Sequence, residues 1–150
     1  MAGTRVPDEL AELLVGIQRL LRRRLRRGLD RPRLRGAQVE LLRLVAARPG
    51  LRVSEAAEEL FLAGNSVSTL VNQLSRDGLL RREPDPTDGR AALLYASPEA
   101  LSRMRDWDRR RRRLVREQLA ALGAEDREAI AAALPALRHL AANLRQEDES

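Results

Sequence analysis

The sequence contains no cysteine and no lysine. Without cysteine it forms no disulfide and offers no thiolate to a metal or to redox chemistry. His139 is its one histidine. A lone imidazole without thiolate partners makes no metal site, so packing in a core or interface is its expected role. The aromatic residues are only Phe61, Tyr95 and Trp107. No apolar run approaches the ~18 residues that span a membrane. No signal peptide is recognisable at the N-terminus, so the cytoplasm is the expected compartment. There is no phosphate-cradling glycine loop and no acid pair set for acid–base work. An enzyme is therefore not expected, nor is a cofactor or metal.

What is present is arginine. All 28 basic residues are Arg, set against 22 acids, for a net charge of +6. That balance favours an anionic partner such as nucleic acid, but its distribution does not locate the contact. Residues 1–34 carry nine Arg and four acids, and residues 98–150 carry eleven Arg and ten acids. Residues 35–97 carry eight of each and are neutral. At 43% hydrophobic residues, the 150-residue chain can build a true core.

Pattern along the chain predicts a mainly α protein with a small β-hairpin. Pro7-Asp8-Glu9 opens a helix whose Leu10, Leu13, Leu14, Ile17, Leu20, Leu21 and Leu25 recur at helical spacing. Gly28 and Pro32 should stop it. A second helix is expected over 35–47, ended by Arg48-Pro49-Gly50. Leu51-Arg52-Val53 reads as a short extended piece, and Ser54 as the N-cap of a helix over 55–61. Ala63-Gly64-Asn65 reads as a tight turn before a helix over 66–76. Asp77-Gly78 ends that helix with a left-handed cap. Leu79–Arg82 and Arg90–Ala96 flank a Pro/Asp/Gly loop, the signature of a hairpin. Ser97-Pro98-Glu99 opens a long helix to about 121. Gly123 breaks it, and a last helix over 125–145 should kink at Pro135. The polar tail after it, Gln146–Ser150, should fray.

The pair of helices over 55–76 followed by the hairpin is a winged helix-turn-helix pattern. On the 66–76 helix, Val67, Leu70, Val71 and Leu74 share one face. Asn65, Ser66, Ser68, Thr69, Asn72 and Gln73 share the other, which is uncharged until Arg76. Elsewhere in this chain the outward helix faces are full of Arg and acids. Amide and hydroxyl side chains are those that pair with base edges in the major groove. Arg52, Arg76, Arg81 and Arg82 are placed to hold phosphates around such a helix. At the hairpin tip, Arg90 suits a narrow minor groove, and Asp88 two residues earlier can hold it in one rotamer. A plain turn with a surface ion pair explains the same spacing.

These segments resemble the multiple-antibiotic-resistance regulator (MarR) family. "LRGAQVELLRLVAARPG" is similar to the family's second helix, and "RVSEAAEEL" to its first helix-turn-helix element. "NSVSTLVNQLSRDGLLRR" is similar to its recognition helix, and "DPTDGRAALLYASPEA" to its wing. The resemblance implies that Arg90 enters the minor groove with Asp88 orienting it. It also implies that Ser66, Ser68 and Thr69 lie in the major groove. Thr69 stands where many members carry Arg, and Arg35 where a capping Thr or Ser is common. The family's architecture implies a winged helix-turn-helix DNA-binding domain at 35–97 and helical dimerisation regions at 1–34 and 98–150. A homodimer on double-stranded DNA follows, acting as a repressor of a pseudopalindromic operator. A winged-helix protein–protein interaction module without specific DNA binding is the alternative; neutral charge over 35–97 supports it, and the polar face and Arg90 oppose it.

Two arginines fall on apolar helical faces, Arg24 on the first helix and Arg111 on the 98–121 helix. A charge on a core-facing stripe needs a partner. An ion pair within the chain or across the dimer seam would satisfy Arg111. An effector pocket formed with Trp107, for a small aromatic or anionic ligand of the kind family members bind, is its other reading.

Overall fold

A computed structural model describes residues 5–27 and 34–146. The expected helix stop at Gly28 and Pro32 and the frayed tail lie outside the described residues. The chain forms two compact units, Met1–Arg109 and Arg110–Ser150.

The first unit contains helices α1 (Arg5–Leu25), α2 (Gly36–Ala47), α3 (Val53–Glu59) and α4 (Gly64–Arg76). It also contains strands β1 (Leu51–Arg52), β2 (Leu80–Pro84) and β3 (Ala92–Ala96) and the start of α5 (Pro98–Ala120). The strands form one antiparallel sheet in the order β1-β3-β2. Leu51 pairs with Leu94 and Arg52 with Leu93, while β2 runs from Leu80 opposite Ala96 to Pro84 opposite Ala92. The expected hairpin is therefore two strands of a three-stranded sheet. The short extended piece pairs at its edge, a long-range contact that no local pattern encodes.

Leu41, Leu42 and Val45 of α2 are buried with Val67, Val71 and Leu74 of α4, and Leu51, Leu79, Leu80 and Leu94 close the core around the sheet. Each such side chain contributes roughly 1.5–3 kcal/mol by leaving water. Arg43 donates to Asp108 at 2.9 Å and ties α2 to α5. Ser97 caps α5 as expected, its hydroxyl oxygen accepting the Ala100 N–H at 3.1 Å.

Two helix starts differ from expectation. The residue capping α3 is Arg52, not Ser54; its N–H donates to the Glu55 carboxylate at 2.8 Å. An acid three residues into the helix thus reaches back to the N–H at its head. Helix α2 begins in the same manner, with the Arg35 N–H donating to Gln38 Oε1 at 2.9 Å. Gln38 thus satisfies the backbone donor at the head of α2, as Glu55 does for α3. Helix α4 begins at Gly64, so Gly64 and Asn65 are helical rather than part of a turn. Its far end is as expected. Gly78 takes φ +70°, its N–H donates to the Ser75 carbonyl, and the Leu79 N–H donates to the Leu74 carbonyl at 2.9 Å. That is a Schellman closure, which directs the chain into β2.

The reversal between α3 and α4 is made at Phe61, which takes φ +51° and is 73% exposed. A left-handed backbone costs a residue with a Cβ about 1–2 kcal/mol, and glycine nothing. The exposed ring recovers little by burial. Phe61→Gly is therefore expected to raise stability by about 1 kcal/mol, seen as a higher urea midpoint at unchanged slope.

The apolar stripe of α1 is open in the protomer: Leu13, Leu14, Ile17 and Leu20 are all about half exposed. In the second unit, α6 (Ala124–Gln146) runs without interruption through Pro135. It leaves Ile130, Leu134, Leu137, Leu140 and Leu144 exposed at helical spacing. Arg127 donates to the Ala120 and Leu122 carbonyls at 3.3 and 3.2 Å, closing the end of α5. His139 is exposed, so it packs in no core of this protomer. Arg111 and Arg24 are exposed as well. Neither is therefore a core-facing charge within the protomer.

Candidate nucleic-acid interface

Helix α4 separates its two faces cleanly. Val67, Val71 and Leu74 are buried, whereas Asn65, Ser66, Ser68, Thr69, Asn72 and Arg76 are exposed. The buried side fixes the helix against α2, α3 and the sheet, so the exposed side is presented by a rigid base. Ala63 at the N-cap has no polar side chain, so the first turn receives no side-chain cap. Thr69 donates its hydroxyl proton to the Asn65 carbonyl at 3.0 Å. Its oxygen keeps acceptor capacity toward a ligand.

Gln73 departs from the rest of that row. It is half buried, and its Oε1 accepts from Gln38 Nε2 at 3.2 Å. Its amide is thus engaged with α2 inside the protein. The sequence placed Gln73 by angle alone, but a long side chain at the margin of a face is free to turn inward. Gln38, buried and bonded to both Arg35 and Gln73, was not singled out from sequence.

The arginines around α4 are not equivalent. Arg82 donates to the Asn72 side chain, joining two residues expected at the interface. Arg81 pairs with Glu83 at 2.6 Å and lies over the Tyr95 ring, 5.1 Å from its centroid. Arg52 is bonded to Asp85. Arg76 and Arg90 are exposed and have no ion-pair partner among the described residues. Of these arginines around α4, the two are available without first breaking an ion pair or a side-chain hydrogen bond.

The wing loop is built around two aspartates. Asp88 accepts the Arg90 backbone N–H on Oδ1 at 3.1 Å, and its carbonyl accepts the Ala91 N–H at 3.0 Å. Asp88 therefore orients the backbone that carries Arg90, whereas the spacing had suggested a grip on the side chain. Asp85 is 6% exposed. Its Oδ1 accepts the Thr87 N–H at 2.9 Å and the Thr87 hydroxyl at 2.8 Å, and its Oδ2 accepts from Arg52. The Thr87 backbone N–H, then its hydroxyl, hold this carboxyl below the usual carboxylate range; Arg52 adds to the effect and burial opposes it. Asp85 is thus ionised throughout the neutral range. Its bonds are lost only as pH falls through that lowered value. Sequence reasoning passed over Asp85; the available signal was an acid two residues before a Thr in a Pro-flanked loop, an Asx-turn spacing.

Trp107 is half buried on α5, one helical turn before Arg111. No group of three or more acidic or imidazole side chains able to hold a metal occurs among the described residues. No helix there is long and apolar enough to cross a membrane.

Residues 28–91 match the MarR family. A putative transcriptional regulatory protein for the hcr operon of Thauera aromatica is 36% identical over 67 residues, 43% of this chain and 40% of that protein. The chain thus spans less than half the length of that curated relative. Among solved structures, a MarR family protein from Bacillus stearothermophilus superposes with a TM-score of 0.74 at 22% identity, covering 95% of this chain and 97% of that one. Streptococcus pneumoniae FabT, in complex with DNA, gives 0.68 at 18% identity over 94% and 98%. The Streptomyces coelicolor regulator PcaV, with its natural ligand, gives 0.57 at 27% identity over 92% and 95%.

Proposed function

We propose that this chain, which matches the MarR family over residues 28–91, is a transcriptional regulator of that family that binds a pseudopalindromic DNA site as a homodimer and represses transcription by occupying it. The observation that carries the reading is the exposed, uncharged row Asn65, Ser66, Ser68, Thr69 and Asn72 on α4, bordered by the unpaired Arg76 and Arg90. Hydroxyls and amides read base edges, and the two free guanidinium groups meet phosphate and minor groove. The segment 35–97 is the DNA-binding domain in this reading.

Dimerisation is assigned to 1–34 and 98–150. The apolar stripe of α1 and that of α6 each need a cover, and a second copy provides one by symmetry. Packing for His139 is assigned to the same interface. Two recognition helices then enter successive major grooves about 34–36 Å apart. A small effector, if one binds, would release DNA by shifting that spacing. The reading supplies no catalytic role and puts the protein in the cytoplasm with its DNA.

Selection of bound duplexes from a random pool, followed by binding measurements at 50 and 200 mM salt, tests it. A two-fold symmetric consensus is expected, with affinity falling by about 10³-fold or more if six or so phosphates are contacted. Recovery of no consensus, or binding indifferent to salt, would count against specific recognition.

A further inference from the structure

Beyond the last strand pair, Pro84 opposite Ala92, the wing loop has no sheet to hold it. Arg90 is in that loop. A flexible loop would offer Arg90 to the minor groove in many positions and lose binding free energy on each docking. The fold answers with Asp85. Its N–H donates to the Ala91 carbonyl at 3.1 Å and closes the loop at its neck. Its carboxylate folds Thr87 back with two bonds and accepts from Arg52 on the far side.

Arg52 is held independently. It lies in β1, and its backbone N–H is fixed by Glu55 in the first turn of α3. One residue thus joins by its backbone the edge of the sheet and the first turn of α3, and by its guanidinium the loop of the wing. The Asp85 side chain is only 5% exposed, while that of Arg52 is 42% exposed, so the acid is the buried anchor and the arginine reaches down to it from the rim.

We infer that Arg52 and Asp85 are positioning residues: together they lock the wing to the helix-turn-helix and fix where Arg90 stands relative to the recognition helix. Arg52 then contributes to DNA binding through the protein rather than through phosphate. The inference rests on the reading of Arg90 as a DNA contact, and the test separates the two.

The whole chain is measured on its selected duplex as native protein, Asp85→Asn, Arg52→Lys, Arg52→Ala, Arg90→Ala, and the Asp85→Asn/Arg90→Ala pair. Asp85→Asn keeps the size of the side chain and removes the charge that Arg52 needs. It is expected to weaken binding by about tenfold, with Arg52→Lys retaining a larger share of affinity than Arg52→Ala. The double variant is expected to bind within about twofold of Arg90→Ala alone, because Asp85 acts through Arg90. Footprints supply the readout that a merely destabilised fold would not give. In Asp85→Asn, minor-groove protection from hydroxyl radical is expected to fade while major-groove protection of guanine N7 persists. Losses that multiply in the double variant, or both protections fading together, would overturn the proposal. If native protein protects the major groove but Arg90→Ala changes nothing, the wing reading fails and the lock fails with it. If native protein protects no DNA, the proposed function itself is wrong.

Discussion

Arg90→Ala is expected to weaken operator binding by about 10- to 100-fold and to leave the unfolding midpoint unchanged. The two halves of that result have separate causes. Arg90 is exposed and has no ion-pair partner among the described residues, so its removal leaves no buried charge behind. Exposed substitutions of this kind stay within about 0.5 kcal/mol of native stability. On DNA the same guanidinium would sit in a narrow groove of strong negative potential, where one arginine contact is worth about 1–3 kcal/mol. Fluorescence anisotropy with a labelled duplex measures the loss, and denaturation of the free protein provides the control. The salt dependence should also become shallower by about one unit of slope if Arg90 displaces a counterion. Unchanged binding would instead mean that the wing makes no contact the operator needs, leaving recognition to α4 alone.

Leu74→Ala is expected to act the opposite way, through the fold. Leu74 is fully buried in the core formed by α2, α4 and the sheet. Its backbone carbonyl also accepts the Leu79 N–H that closes α4. Removing three heavy atoms there costs about 2–5 kcal/mol, depending on how far α2 and β3 collapse into the space. Against a typical total of roughly 5–15 kcal/mol, that leaves a marginal domain. Urea denaturation should show a much lower midpoint. By contrast, Ser68→Ala lies on the exposed side of the same helix and should leave the midpoint within error. Comparable losses at both positions would mean that α4 does not divide into a structural and a reading side.

How much of this was legible beforehand follows from the range of each interaction. The helices α2, α4 and α5 could be placed because apolar spacing and caps such as Gly78 and Ser97 act within a few residues. The pairing of β1 with β3 joins residues some forty positions apart, and nothing in Leu51-Arg52 announces its partner. The same limit explains Arg52 and Gln73. Both have the right residue type for DNA, and both spend their polar groups on residues far along the chain, Asp85 and Gln38. Arg111 shows the converse. Its spacing grouped it with apolar residues, yet it is exposed; periodicity reports which residues share a face and not whether one protomer covers that face.

The exposed row of α4 has a further consequence for how such a protein diverges. Asn65, Ser66, Ser68, Thr69 and Asn72 contribute no buried side chain to the core. Substitutions there are nearly free of folding cost, whereas under the proposed function each one changes the hydrogen-bond pattern offered to a base pair. Copies of the gene can therefore drift to new operators one residue at a time without passing through an unfolded intermediate. The residues that hold the helix and the loop, Leu74 and Asp85 among them, have no such freedom, so recognition can evolve while the frame that presents it stays the same.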